Sequence, residues 1–158
     1  MLEDGLPAGH SRCDTRASGA GSALAFEGAV GLARPNRIVA GEASLDGDGR
    51  WARVQVAVDG QAVPLDVPPD ALLDVEGVPA LVGATAQRLM LSGMRPGQSR
   101  DIEVVRVRTD RSVRKIRGRC VWVGGRDWRL FLPLESTGFS VRPDGAVAGV
   151  EAAALLVE

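Results

Sequence analysis

Side chains able to carry chemistry are scarce in this 158-residue chain, which has one histidine, His10, and two cysteines, Cys13 and Cys120. His10 and Cys13 are three residues apart, a spacing that can place two ligands on a metal. A zinc site, however, takes four protein donors, or three and a water. Only Cys120 remains to complete such a set, so no metal site is expected. The same scarcity removes a Ser-His or Cys-His nucleophile. The one imidazole stands in an N-terminal stretch that cannot hold a base within hydrogen-bond reach of a nucleophile. No cofactor is implied, and a glycine-rich phosphate loop with its following lysine is missing, Lys115 being the only lysine.

The acidic groups are more numerous. Asp46-Gly47-Asp48-Gly49 resembles the start of a calcium loop, but the bidentate glutamate required at its twelfth position is replaced by Ala57. A polar turn ahead of Trp51 is the better reading. Asp66, Asp70, Asp74 and Glu76 are close enough in sequence to act as paired carboxylates, as in a hydrolase or isomerase. With no geometry to pair them, they read as the acidic rim of a loop.

Net charge is −1, so no global field draws the chain to nucleic acid or to an anionic membrane. The charge is unevenly spread: residues 100–129 carry ten basic side chains against Asp101, Glu103, Asp110 and Asp127. Arg106 and Arg108 alternate with valines, the pattern of a strand with one face in water. Contact with an anion or a lipid headgroup ranks second, and nucleic acid, with Trp122 and Trp128 stacking on bases, third. No nucleic-acid partner is expected.

These residues must be positioned by strands. Residues 1–23 are rich in Gly, Ala, Ser, Arg and Asp without periodicity and read as a flexible leader; residues 24–158 read as a single β domain. Ala52, Val54, Val56 and Val58 alternate with polar neighbours up to Asp59-Gly60, a pair suited to a type I′ turn, and Val63, Leu65 and Val67 return. A second hairpin runs from Arg119 to Pro133 through Gly124-Gly125-Arg126-Asp127. Its strands are apolar on both faces, which predicts a position in mid-sheet or along a cavity. A third joins Phe139–Arg142 to Ala146–Val150 through Asp144-Gly145. Val104-Val105 breaks the alternation of its strand, as a β-bulge would. Arg95-Pro96-Gly97-Gln98 reads as a turn, and the alanines of Val78–Leu91 leave that segment ambiguous between strand and helical turn. The fold class is all-β: a strongly curved antiparallel sheet or half-open barrel of hairpins, with at most short helical turns.

Acidic Glu3 and Asp4 stand where a signal peptide needs basic residues, and no apolar run approaches the ~20 residues of a membrane helix. A soluble, reduced, cytoplasmic protein with no membrane span, monomeric or homodimeric, is the expectation.

In order through residues 28–150, the chain resembles the putative glycolipid-binding family of small bacterial β-rich proteins. The segments that carry the likeness are Val30-Gly31-Leu32, Asp48–Val56 around Trp51-Ala52-Arg53, Leu73-Asp74-Val75-Glu76, and Arg88-Leu89 followed by Pro96-Gly97-Gln98-Ser99. Ser112-Val113-Arg114, Gly118-Arg119, and Glu135–Phe139 followed by Asp144-Gly145-Ala146-Val147 complete it. Val82–Gln87 departs from the family pattern, and Cys120 replaces a tyrosine. The resemblance implies an open, curved sheet like that of lipoprotein carriers, with a concave apolar face for lipid. Aromatic strands beside arginines point the same way: Trp51, Trp122, Trp128 and Phe139 for an acyl chain, Arg53, Arg88 and Arg119 for a headgroup. The expected function is non-enzymatic binding of a (glyco)lipid or other hydrophobic small molecule. Its alternatives are the carboxylate hydrolase or isomerase and a module that pairs exposed strand edges with a partner protein.

Overall fold

The computed structural model describes residues 2–3, 6–7, 9–31, 37–142 and 147–154. Its strands are β1 (Leu2–Glu3), β2 (Leu6–Pro7), β3 (Gly9–Ser18), β4 (Gly21–Val30), β5 (Arg37–Leu45), β6 (Trp51–Val58), β7 (Gln61–Val63), β8 (Leu72–Val75), β9 (Ser99–Val107), β10 (Val113–Gly124), β11 (Asp127–Leu132), β12 (Glu135–Val141) and β13 (Val147–Ala154), with one helix, α1 (Ala80–Leu91), between β8 and β9.

The Asp59-Gly60 turn obeys its residue types, with φ of 50° and 80° as a type I′ turn requires. It closes β6 onto β7, with Val58 opposite Gln61. Similar antiparallel neighbours build a five-stranded sheet in the order β3-β4-β5-β6-β7 and most of a six-stranded one, β13-β12-β11-β10-β9-β8. The architecture is the expected one: mostly β, strongly curved and half-open, with one short helix among the described residues. No helix among the described residues is long and apolar enough to cross a membrane.

Four local readings change. Strand begins well before Leu24, because β3 pairs with β4 continuously from Gly9↔Val30 to Ser18↔Gly21. Backbone pairing needs no apolar side chain on the outer strand when its neighbour supplies Leu24 and Phe26 to the core. The bulge at Val104-Val105 is absent, and β9 keeps unbroken register with β10 from Val107↔Val113 to Ser99↔Val121. Both valines are fully buried because the strand has core on each side: Val105 joins a cluster with Phe26, Trp51 and Val56, whereas Val104 joins one with Trp128, Leu130 and Phe139. The hairpin β10–β11 does cross mid-sheet, but only one face of β11 is buried, with Trp128, Leu130 and Leu132 inward and Phe131 outward. The ambiguous segment is a three-turn helix. It buries Leu81, Gly83, Thr85, Ala86 and Leu89, and because it touches both clusters it shows no single apolar stripe.

The crossover through α1 makes β8 and β9 parallel, Leu72 opposite Val104 and Val75 opposite Val107. Trp51 ties the five-stranded sheet to the segment entering β8: its indole N–H donates to Ala71 O at 2.9 Å, and its backbone N–H to Pro69 O at 3.0 Å.

Two outcomes test this packing. A Cβ at Gly41 would lie 2.1 Å from Gln55 O and 2.6 Å from the Phe26 ring, so Gly41→Ala should lower stability by about 1–3 kcal/mol in urea unfolding. Burial pushes the Cys120 thiol from its ordinary 9.0 up to about 12. In the folded protein Ellman's reagent should therefore modify half-buried Cys13 and spare Cys120 until denaturant is added. The raised value means that the thiol's contribution to stability is complete below pH 9 and falls as pH rises toward 12.

Candidate functional site

Arg106 lies opposite Asp74 in the parallel pair. It shares a face with Val104, so it points into the concave side of the six-stranded sheet rather than into water as the alternation with valines suggested. Its side chain is 13% exposed. Nε donates to Asp74 Oδ2 at 2.9 Å, and Nη2 is paired with Glu135 Oε1 on β12. Burial opposes the charge, but hydrogen bonds to Glu135 and Asp74 outweigh it and hold the guanidinium above its ordinary range.

That second contact measures the curvature. Arg106 is level with Arg114 on β10, Arg119 is level with Phe131 on β11, and Leu132 is level with Glu135. On a flat sheet, Arg106 and Glu135 would be separated by about 14 Å across three strand spacings and by ~13 Å along the strands. The two side chains cannot span that diagonal. They meet because the sheet curls until β12 faces β9. Gly118 allows the curl, since a Cβ there would come within 2.9 Å of Phe131 O and 2.7 Å of Leu132 Cδ2.

Beside the ion pairs is a cavity of about 270 Å³, lined by Asp74, Glu76, Arg106, Arg108 and Glu135 together with Pro79, Val82, Leu130, Thr137 and Phe139. Glu76 is oriented by the Thr109 N–H, which donates to its Oε1 at 2.9 Å. The apolar wall is anchored in a stack of three rings. Phe139 lies on Trp128 with centroids 6.4 Å apart and 10° between planes, and Trp128 lies on Trp122 at 5.4 Å and 4°. The cavity thus has one wall of hydrocarbon and one of paired charges, and it suits a molecule with both kinds of surface.

No protein-family model matches the chain, and no curated protein matches its sequence. Among solved structures, a DUF1089 family protein from Pseudomonas aeruginosa has a similar backbone. Its TM-score is 0.67 at 13% identity, over 90% of this chain and 89% of that one. The likeness is one of fold. It extends through both sheets and assigns no ligand.

The seven residues singled out from sequence are not gathered in one place. Phe139 lines the cavity. Trp128 lies directly behind it, 1% exposed, and Trp122 caps the stack with its N–H on Gly125 O at 3.0 Å. Trp51 is buried in the other cluster. Arg53 is exposed in a groove of about 500 Å³ across the five-stranded sheet, with Asp14, Arg16 and Glu42. Arg88 lines a different groove, between α1 and the Asp46–Arg50 turn. Its Nη2 donates to Asp70 O at 2.8 Å, and burial lowers its pKa against the opposing pull of Asp70. Arg119 pairs with Asp101 at the surface.

The acidic rim is likewise divided: Asp66 meets Lys115, Asp70 meets Arg50 and Arg88, and only Asp74 and Glu76 reach the cavity. Asp46 forms the expected polar turn, its Oδ1 accepting from the N–H groups of Asp48 and Arg50. His10 and Cys13 are strand residues of β3 whose backbones face Ala29 and Phe26. The turn of the third hairpin, at Asp144-Gly145, lies outside the described residues. Sequence reasoning missed the roles of Arg106 and Glu135. The one local signal was an arginine within a strand otherwise buried on that face.

The Arg106 pairs are partly screened, so their strength should fall between exposed and buried values. Arg106→Met should cost about 1–3 kcal/mol. With Glu135→Gln as the second single variant, a double-mutant cycle in urea should give a coupling well away from zero.

Proposed function

We propose that the protein binds, without chemical turnover, an amphiphilic small molecule of the (glyco)lipid kind on the concave face of its six-stranded sheet. The observation that carries this reading is the 270 Å³ cavity in which Val82, Leu130 and Phe139 adjoin the Asp74–Arg106–Glu135 ion pairs. Its volume is near the lower end for small-molecule sites, enough for one sugar-sized headgroup or a short length of acyl chain. Fixed carboxylates accept hydrogen bonds from hydroxyls, and the guanidinium and Thr137 donate them, so a polyol would be held by partners already in place. The ordered resemblance to putative glycolipid-binding proteins supports the same reading by analogy; the solved structure with a similar backbone supports the fold alone.

A hydrolase reading starts from the same cavity, since Asp74, Glu76 and Glu135 all line it. Each of the three already accepts from an arginine or a backbone N–H. That is the arrangement of an anchor; a general acid must instead keep a proton to give.

Isothermal titration with octyl β-glucoside, kept below its micelle concentration, should show saturable binding with a negative heat-capacity change. Val82→Trp, which fills the cavity from the helix side, should abolish that heat while leaving the melting temperature within a few degrees. Lack of saturable binding by octyl β-glucoside, monooctanoylglycerol and a fatty acid alike would overturn the proposal. Turnover of a nitrophenyl glycoside or ester that disappears in Glu135→Gln would replace it with the hydrolase.

A further inference from the structure

The ladder between β8 and β9 carries two rungs of opposite charge, and only one of them is closed. Asp74 lies beside Arg106, and the two side chains are bonded at 2.9 Å. Val75 and Val107 form the following rung. The Glu76 N–H then extends the pairing by donating to Val107 O at 2.9 Å, which sets Glu76 beside Arg108. Neighbouring strands are about 5 Å apart, well within the joint reach of a glutamate and an arginine. Arg108 nevertheless makes no side-chain hydrogen bond or ion pair among the described residues. Glu76 Oε1 accepts from the Thr109 N–H instead. Asp110 feels the Arg108 charge, but its pKa is lowered first by hydrogen bonds from Ser112, and no bond joins it to Arg108. Both members of the open rung line the cavity.

In water an open rung costs little, because exposed ion pairs contribute little to stability. A ligand whose hydrocarbon lies on Val82, Leu130 and Phe139 changes that. It covers the mouth and removes water from both charges, and a dehydrated charge needs a partner. An uncharged headgroup leaves both without one. An anionic headgroup satisfies Arg108 but is set against Glu76, Asp74 and Glu135. An ammonium satisfies Glu76 but is set against Arg108. The closed rung cannot compensate, since Arg106 already has a carboxylate on each of two edges. A headgroup that carries both charges completes each half of the open rung.

We infer that the ligand is an amphiphile with a zwitterionic headgroup, its anionic group on the Arg108 guanidinium and its ammonium on the Glu76 carboxylate. This rests on the concave-face reading and adds a headgroup class and two specificity-determining residues. Arg108 offers the planar fork that matches a phosphate or a carboxylate. Glu76 keeps Oε2 for the ammonium while Oε1 stays on the Thr109 N–H. The Asp74–Arg106–Glu135 pairs are the frame against which the headgroup rests.

The test is isothermal titration of the full chain with four probes of equal chain length: octyl phosphoethanolamine, octyl phosphate, octylammonium and octyl β-glucoside, each below its micelle concentration. Phosphoethanolamine without the chain is the fifth probe. Octyl phosphoethanolamine should bind about tenfold more tightly than the other octyl probes, and the chainless headgroup should give no saturable heat. Glu76→Gln, which keeps the oxygen that accepts from Thr109, should weaken octyl phosphoethanolamine about five- to tenfold and tighten octyl phosphate. Arg108→Gln should weaken it by a similar factor and tighten octylammonium. A loss of folding would weaken every probe together, so these opposed changes report charge. Octyl β-glucoside bound as tightly as octyl phosphoethanolamine, or variants that alter no probe's affinity, would overturn this inference and leave the concave-face reading in place. So would tightest binding of octyl phosphate or octylammonium, which would make the headgroup singly charged. Phosphoethanolamine bound as tightly without its chain would overturn the amphiphile and give the open rung to a soluble zwitterion. Absence of binding by every probe would remove the concave-face reading itself.

Discussion

The concave face is shaped by one cation. Arg106 leaves β9 on the same side as the apolar cluster, meets Asp74 on the neighbouring strand and Glu135 three strands away, and is largely withdrawn from water. A guanidinium so placed is tolerable only with carboxylates on more than one of its edges, because desolvation of a single pair tends to consume its Coulombic gain. Its fork geometry suits that double demand in a way a lysine would not. The fork fixes how far the sheet curls, and the curl makes a cavity possible between β8, β9, β12 and the start of α1. The hydrocarbon wall and the polar wall are thus two sides of the same constraint.

The second organising feature is burial of β8 and β9 on both faces. Leu73, Val75, Val105 and Val107 belong to the cluster shared with the five-stranded sheet; Leu72 and Val104 belong to the cluster under α1. Strands of this kind are the joint between the two halves of the molecule. With Trp51 bonded to Ala71 O, displacing β8 would disturb both cores at once. The concave site therefore stands on the best-buried part of the chain, while its cover is a helix whose N-cap side chain makes no bond.

Where local chemistry decides structure, the sequence was legible. Asp59-Gly60 imposes its turn through positive φ, Arg95–Gln98 turns where Pro-Gly requires, and Asp46 folds its own loop through short-range hydrogen bonds. The curved all-β class followed from these. What stayed hidden depends on partners far along the chain. Two adjacent buried valines give the same pattern whether a strand bulges or has core on both sides, so Val104-Val105 was misread. A helix touching two cores loses the periodicity that would identify it. Arg106 carries no local mark of its orientation, since Asp74 and Glu135 are 32 and 29 residues away. The aromatic candidates were right in kind, because Trp122, Trp128 and Phe139 do form one stack; Trp51 belongs to another core, and the three candidate arginines lie apart for lack of any local cue to gather them.

The strand order has a consequence for how the chain reaches this shape. In both large sheets every neighbouring pair joins strands consecutive in sequence, and all but one of these pairs are antiparallel, so two meanders can assemble from short loops, each at low entropic cost. The exception is the parallel pair β8–β9, which cannot form until the chain has passed through α1 and returned. Loop-closure entropy is thereby concentrated in a single crossover, at the strands that complete both hydrophobic clusters. Until it closes, each meander presents a half-built apolar face to water. The step that joins them is also the one that brings Asp74 beside Arg106, so the cavity is completed at the same moment as the core.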